Sequence, residues 1–123
     1  MSERRPISFI ATAQPDLAKS FYQDAVGLTL LDVSPFALVF DDKGQMLRVQ
    51  IVDALLPPPY TVHGWQVSDM RSAIIKLVSK GVEFLKFEHM GQDALGIWTT
   101  PNGDRIAWFK DPCGNTLSLT EFT

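Results

Sequence analysis

The sequence predicts an α+β fold: two tandem βαβββ modules forming a curved mixed sheet around a groove, with the helices on the outer face. Three observations carry this reading. The order strand, helix, then further strands occurs twice along 123 residues. Both helical segments are amphipathic and each stops at a glycine, Gly27 and Gly81. Between the halves stands Pro57-Pro58-Pro59, which suits neither a central strand nor a helix interior. Neither half has enough structure to bury both faces of its own sheet, so the two are expected to form one domain, 1–123. Module one spans 5–53, the linker 54–61 and module two 62–122.

In module one, Ile7 to Ala13 reads as a strand. Pro15-Asp16 opens a helix, because proline fits the first turn and aspartate favours the positive end of the helix dipole. Leu17, Phe21 and Ala25 form its apolar stripe, with Ala18 and Tyr22 alongside. Strands are expected at 28–33, 36–40 and 46–52, with Ser34-Pro35 and Asp41-Asp42-Lys43-Gly44 as the breaks. Asp53 to Tyr60 is a stiff connector.

Module two restarts with a strand at 62–67. Ser68 is the expected N-cap of a helix whose apolar face is Met70, Ala73, Ile74 and Leu77. A strand at 82–87, a polar loop at 88–96, and strands at 97–100, 105–109 and 116–122 follow. Pro101-Asn102-Gly103-Asp104 and Asp111-Pro112-Cys113-Gly114-Asn115 supply turns. Across the repeat Asp16 matches Asp69, Gly27 matches Gly81, and Gly44 matches Gly114.

Composition excludes several functions. The net charge is −3, from 11 basic and 14 acidic residues, and the basic residues form no stripe that would displace counterions from nucleic acid. No apolar run approaches the roughly 18 residues of a membrane span. The N-terminal segment lacks a signal-peptide pattern, so the expected location is cytoplasmic. A single cysteine, Cys113, forms no internal disulfide.

Two motifs carry a family resemblance. The runs Asp-Leu-Ala-Lys-Ser-Phe-Tyr-Gln-Asp-Ala-Val-Gly-Leu (16–28) and Phe-Lys-Asp-Pro-Cys-Gly-Asn-Thr-Leu-Ser-Leu (109–119) resemble those of the vicinal oxygen chelate superfamily. That superfamily includes glyoxalase I, bleomycin-resistance proteins and extradiol dioxygenases. The resemblance implies a groove in which one side chain from the first and last strand of each module holds a divalent metal. By spacing, those positions fall on Phe9, Val62 and Ser118, with Arg48 or, in another register, Gln50 as the fourth. Phe9 and Val62 have no donor atom and Arg48 repels a cation, whereas a catalytic metal needs three or more converging N, O or S ligands. No metal and no cofactor is therefore expected.

Ligand-binding candidates are Phe9, Arg48, Gln50, Val62, Gln66, Trp98, Trp108 and Ser118. Trp98 and Trp108 are the candidates for an aromatic wall, while Trp65, with the parity of His63, is expected to face the helix. Arg48 shares a strand face with Met46 and Gln50, and no acid stands out at matching positions. Its partner is a bound carboxylate, phosphate or other anion; the alternatives are a cross-strand carboxylate or an exposed edge position with no buried partner. Met90 and Gln92, on the polar loop, are placed to touch a ligand if that loop covers the groove. The histidines, His63 and His89, read as a packed residue and a solvated one. The reading is a protein that binds a small, organic, in one version anionic, molecule, as a homodimer of the kind the resemblance implies. The alternative is a metal-dependent lyase, isomerase or dioxygenase using non-standard ligands, such as Gln50 with His63 or His89. No catalytic residue is nominated.

Overall fold

The computed structural model describes residues 2–123; Met1, the start of the segment read above, lies outside the described residues. The chain divides into two compact units at Pro57/Pro58, inside the proline connector. The first contains β1 (Ile7–Thr12), α1 (Pro15–Ser20), a wider π-turn (Phe21–Ala25), β2 (Thr29–Val33), β3 (Ala37–Asp42) and β4 (Gln45–Ile51). The second contains β5 (Thr61–Gln66), α2 (Met70–Ser79), β6 (Trp98–Thr99), β7 (Arg105–Lys110) and β8 (Thr116–Glu121).

Each unit has one four-stranded mixed sheet, in the orders β1-β4-β3-β2 and β5-β8-β7-β6. In each, the first strand runs parallel to the last and the remaining pairs are antiparallel. The repeat is thus one of topology, and it makes the first and last strands of each module direct neighbours.

In the first unit one sheet face carries Ile10, Leu38, Phe40, Leu47 and Val49, all buried. Tyr22, fully buried, packs its ring 5.8 Å from that of Phe40. Burying one such side chain is worth about 2–3 kcal/mol. The expected helical stripe is corrected here: Leu17 is 53% exposed, and Ala18 with Tyr22 supplies the buried face. The cause is backbone geometry. Val26 N–H donates to Phe21 C=O, an i to i+5 bond that widens the last turn, and Leu28 N–H closes onto Tyr22 C=O past Gly27 (φ +91°).

In the second unit Met70, Ile74 and Leu77 form the buried face of α2. Asp69, not Ser68, is the N-cap: its carboxylate accepts from Ser72 N–H at 3.1 Å and from the Ser72 hydroxyl at 2.8 Å. Met70 N–H donates to the Glu121 carboxylate at 2.9 Å, which ties the helix start to β8. The Ser72 N–H bond, helped by the hydroxyl, holds the Asp69 carboxyl below the usual carboxylate range. The stability it contributes is therefore complete above its unfolded-state pKa and is lost as pH falls through the lowered folded value. The melting difference between wild type and Asp69→Ala is expected to shrink between about pH 6 and about pH 2. A difference constant over that range would show that the charged cap contributes nothing.

The strand expected at 82–87 does not form. Phe84 makes a single bridge to Phe109, and Leu85 N–H reaches Trp108 C=O. The Leu85 carbonyl is then taken by the Gln92 side chain instead of a neighbouring strand, so the chain leaves the sheet there.

Candidate functional site

The open face of the second sheet holds the most developed candidate site. Alternation along β7 and β8 places Trp108, Ile106, Thr116, Ser118 and Thr120 on one face, and Phe109, Ala107, Leu117 and Leu119 on the other. The second group is buried and forms the core. The first group is half-buried, so its side chains remain available. β6 adds Trp98 to that face through its pairing with Ile106, and β5 adds Gly64 and Gln66.

The result is a shelf of small residues beside an aromatic wall. The Trp98 and Trp108 rings stack at 6.2 Å with 29° between their planes, and Phe87 meets Trp108 edge-on at 5.6 Å and 84°. Gly64 lies opposite Ser118 so closely that a Cβ there would stand 2.5 Å from Ser118 Oγ and 3.0 Å from its carbonyl oxygen. At the end of the shelf is a recess of about 280 Å³. Trp108 and Thr116 come from β7 and β8, Phe87 and Met90 from the loop, and Pro59, Tyr60 and Thr61 from the connector and the start of β5. Most of this lining is apolar, with three hydroxyls, on Tyr60, Thr61 and Thr116, a composition suited to a small organic ligand.

The candidate residues fall into two sets. In the second unit Gln66, Trp98, Trp108 and Ser118 share the open face. Val62 is the extra residue of an irregularity in β5, where Thr61 pairs with Thr116 and His63 with Leu117, so Ser118 lies beside Gly64. In the first unit Phe9 pairs directly with Arg48, and Gln50 follows on the same face. Phe9 is 54% exposed, Arg48 half-buried and Gln50 exposed. The expectation that no acid matches Arg48 is corrected: the row Phe9–Arg48–Val39 continues to Asp32, and Asp41, paired with Met46, shares the face. The long hairpin hides this from sequence spacing.

Five recess residues escaped sequence reading: Pro59, Tyr60, Thr61, Phe87 and Thr116. Tyr60 sits in the connector and Phe87 at the end of a strand that does not form. Thr116 alone left a signal, its parity with Ser118. Gln92 is spent on backbone hydrogen bonds within the loop.

The histidines take no part in the recess lining. His63 lies on the core face and meets Trp65 edge-on at 4.8 Å, while Trp65 stacks on Phe109 at 6.3 Å. His89 is 94% exposed beside Glu88. Cys113 lies in the β7–β8 turn, its N–H donating to Asp111. Among the described residues no three His, Cys, Asp or Glu side chains gather as a metal site. With Phe9 and Val62 lacking donors, the residues at the resembled ligand positions do not fit a divalent metal.

Residues 7–119 match the family model described as the Glyoxalase/Bleomycin resistance protein/Dioxygenase superfamily. A comparison with curated proteins returned no match. Among solved structures the chain is similar to TnmS3, an antibiotic binding protein from Streptomyces sp. CB03234. That pair has 24% identity and a TM-score of 0.74, over 100% of this chain and 99% of that one. It is also similar to a lactoylglutathione lyase from Agrobacterium tumefaciens, with 20% identity and a TM-score of 0.72 over 97% and 93% of the two chains. A superfamily member from Sphaerobacter thermophilus shows 22% identity and a TM-score of 0.74 over 98% of each chain.

Proposed function

Because the chain belongs to the glyoxalase/bleomycin resistance protein/dioxygenase superfamily, we propose that it binds a small aromatic molecule on the open face of its second unit, without the metal of the superfamily's enzymes. The fold alone does not choose between binding and catalysis, since the similar structures include both an antibiotic binding protein and a lyase. The choice rests on side chains. The carrying observation is the Trp108 ring, stacked on Trp98 and lining a recess with Tyr60, Phe87 and Met90. Flat rings offer a large apolar surface at low conformational cost, and three hydroxyls, on Tyr60, Thr61 and Thr116, can supply hydrogen bonds. A homodimer and a cytoplasmic location complete the proposal; both follow the resemblance and the sequence. Among the described residues no helix is long and apolar enough to cross a membrane.

The test is tryptophan-fluorescence titration with a panel of planar aromatic compounds, before and after adding Zn²⁺, Ni²⁺, Mn²⁺ or Fe²⁺. Saturable binding that metal and chelator leave unchanged supports the proposal. Binding that appears only with about one tightly held metal per chain would overturn it and restore the lyase, isomerase or dioxygenase reading.

Arg48 adds a separate expectation on the first unit. It presents a guanidinium beside the exposed Phe9 ring, a pairing suited to an aromatic carboxylate. Arg48→Ala is expected to weaken binding of 2-naphthoate about tenfold, with naphthalene binding and melting temperature unchanged. Equal loss for both compounds, or for neither, would assign Arg48 to Asp32 and Asp41 instead.

A further inference from the structure

We infer that Gln92 is a positioning residue that sets the shape of the recess by closing the neck of the loop that carries Phe87 and Met90. The inference rests on the reading of that recess as the ligand site. One side chain makes three hydrogen bonds across the base of the loop. Its Oε1 accepts from Phe87 N–H at 2.6 Å, and its Nε2 donates to Leu85 C=O at 3.0 Å and to Gly96 C=O at 2.8 Å. Both strands of the neck are therefore held by one amide, and only an amide supplies an acceptor and two donors together.

The surrounding backbone is built for this closure. Gly96 has φ +88°, and a Cβ there would lie 3.3 Å from the Leu85 carbonyl oxygen and 3.4 Å from Phe84 Cβ. The return limb is fixed by Asp93, whose carboxylate accepts from Leu95 N–H and Ile97 N–H, both at 2.9 Å. Phe87 is 43% exposed, so its position depends on its backbone tether more than on burial. The tether at its own N–H is Gln92. Releasing it frees the ring that meets Trp108 edge-on and, three residues on, Met90.

The test compares the full chain with Gln92→Ala, Gln92→Glu and Trp108→Ala, using 1-naphthol as the probe and amide hydrogen exchange as an independent readout. Gln92→Ala is expected to speed exchange at the Phe87 amide at least about tenfold, to leave β7 and β8 amides unchanged, and to weaken 1-naphthol about tenfold. Gln92→Glu keeps the acceptor and loses both donors. It is expected to weaken the probe as alanine does while retaining part of the Phe87 protection, a separation that general destabilisation would not produce. Unchanged Phe87 exchange in Gln92→Ala overturns the clip. Faster exchange with unchanged 1-naphthol affinity overturns its role in shaping the recess, provided Trp108→Ala weakens binding of the same probe. If Trp108→Ala binds as wild type does, the recess reading itself fails, and with it any role of Gln92 in ligand binding.

Discussion

Replacing Asp111 by alanine is expected to lower stability by about 3 kcal/mol and the melting temperature by about 10 °C. Asp111 is 5% exposed and sits at the start of the turn joining β7 to β8, the central pair of its sheet. One carboxylate oxygen accepts from Cys113 N–H at 2.9 Å and Asn115 N–H at 3.0 Å, and the other accepts from Asn115 Nδ2 at 2.9 Å. Asn115 is 2% exposed, so alanine at 111 strips acceptors from buried donors as well as removing a charge. Each orphaned donor costs about 1–3 kcal/mol before water enters the space left by the side chain. Asp111→Asn keeps one acceptor oxygen but sets an NH₂ against a donor, and is expected to fall between alanine and wild type. Chemical denaturation of the three proteins checks the order. An alanine variant melting within about 2 °C of wild type would show that the turn holds without its carboxylate.

Trp108→Ala is expected to weaken binding of planar aromatic probes about 30-fold, close to 2 kcal/mol. The ring is a wall of the recess and the surface against which both Trp98 and Phe87 are set. Alanine therefore removes contact area and releases two neighbouring rings. Because Trp108 lies on the half-buried face, with the core formed by Phe109 and Leu117 behind it, the fold is expected to survive. Trp98→Ala, which removes support but not lining, is expected to cost about threefold in binding. Fluorescence titration of the single variants, with circular dichroism as the folding control, measures both. Equal losses for Trp98→Ala and Trp108→Ala would mean that the ligand lies elsewhere along the aromatic wall.

What was legible in the sequence is local or periodic. Proline and glycine mark the connector and helix ends because they restrict or release backbone angles whatever surrounds them. Alternation along β4 correctly placed Leu47 and Val49 in the core and Arg48 on the opposite face, since strand side chains alternate by covalent geometry. The same parity put Trp65 on the face of the core, where it stacks on Phe109. The Asp-Pro-Cys-Gly-Asn turn was readable because its hydrogen bonds close within five residues.

Where sequence reading failed, a distant partner decided. Ala18 displaced Leu17 from the core because the sheet and a widened helical turn fixed the rotation of α1, and neither is encoded in the stripe itself. Phe84 to Phe87 has strand-like composition, yet Gln92 took the carbonyl of Leu85 and turned the segment into a loop. Asp32 reached the row of Arg48 only through the pairing of three strands. The recess joins residues from the connector, a loop and three strands, from Pro59 to Thr116. By itself the sequence determined the repeat and the two faces of β4 and β8, because those follow from backbone stereochemistry and short-range periodicity, while the motifs at 16–28 and 109–119 marked the family by resemblance. The tertiary structure alone decided register, helix rotation and the composition of the recess, because each is set by competition among hydrogen-bond and packing partners far apart in the chain.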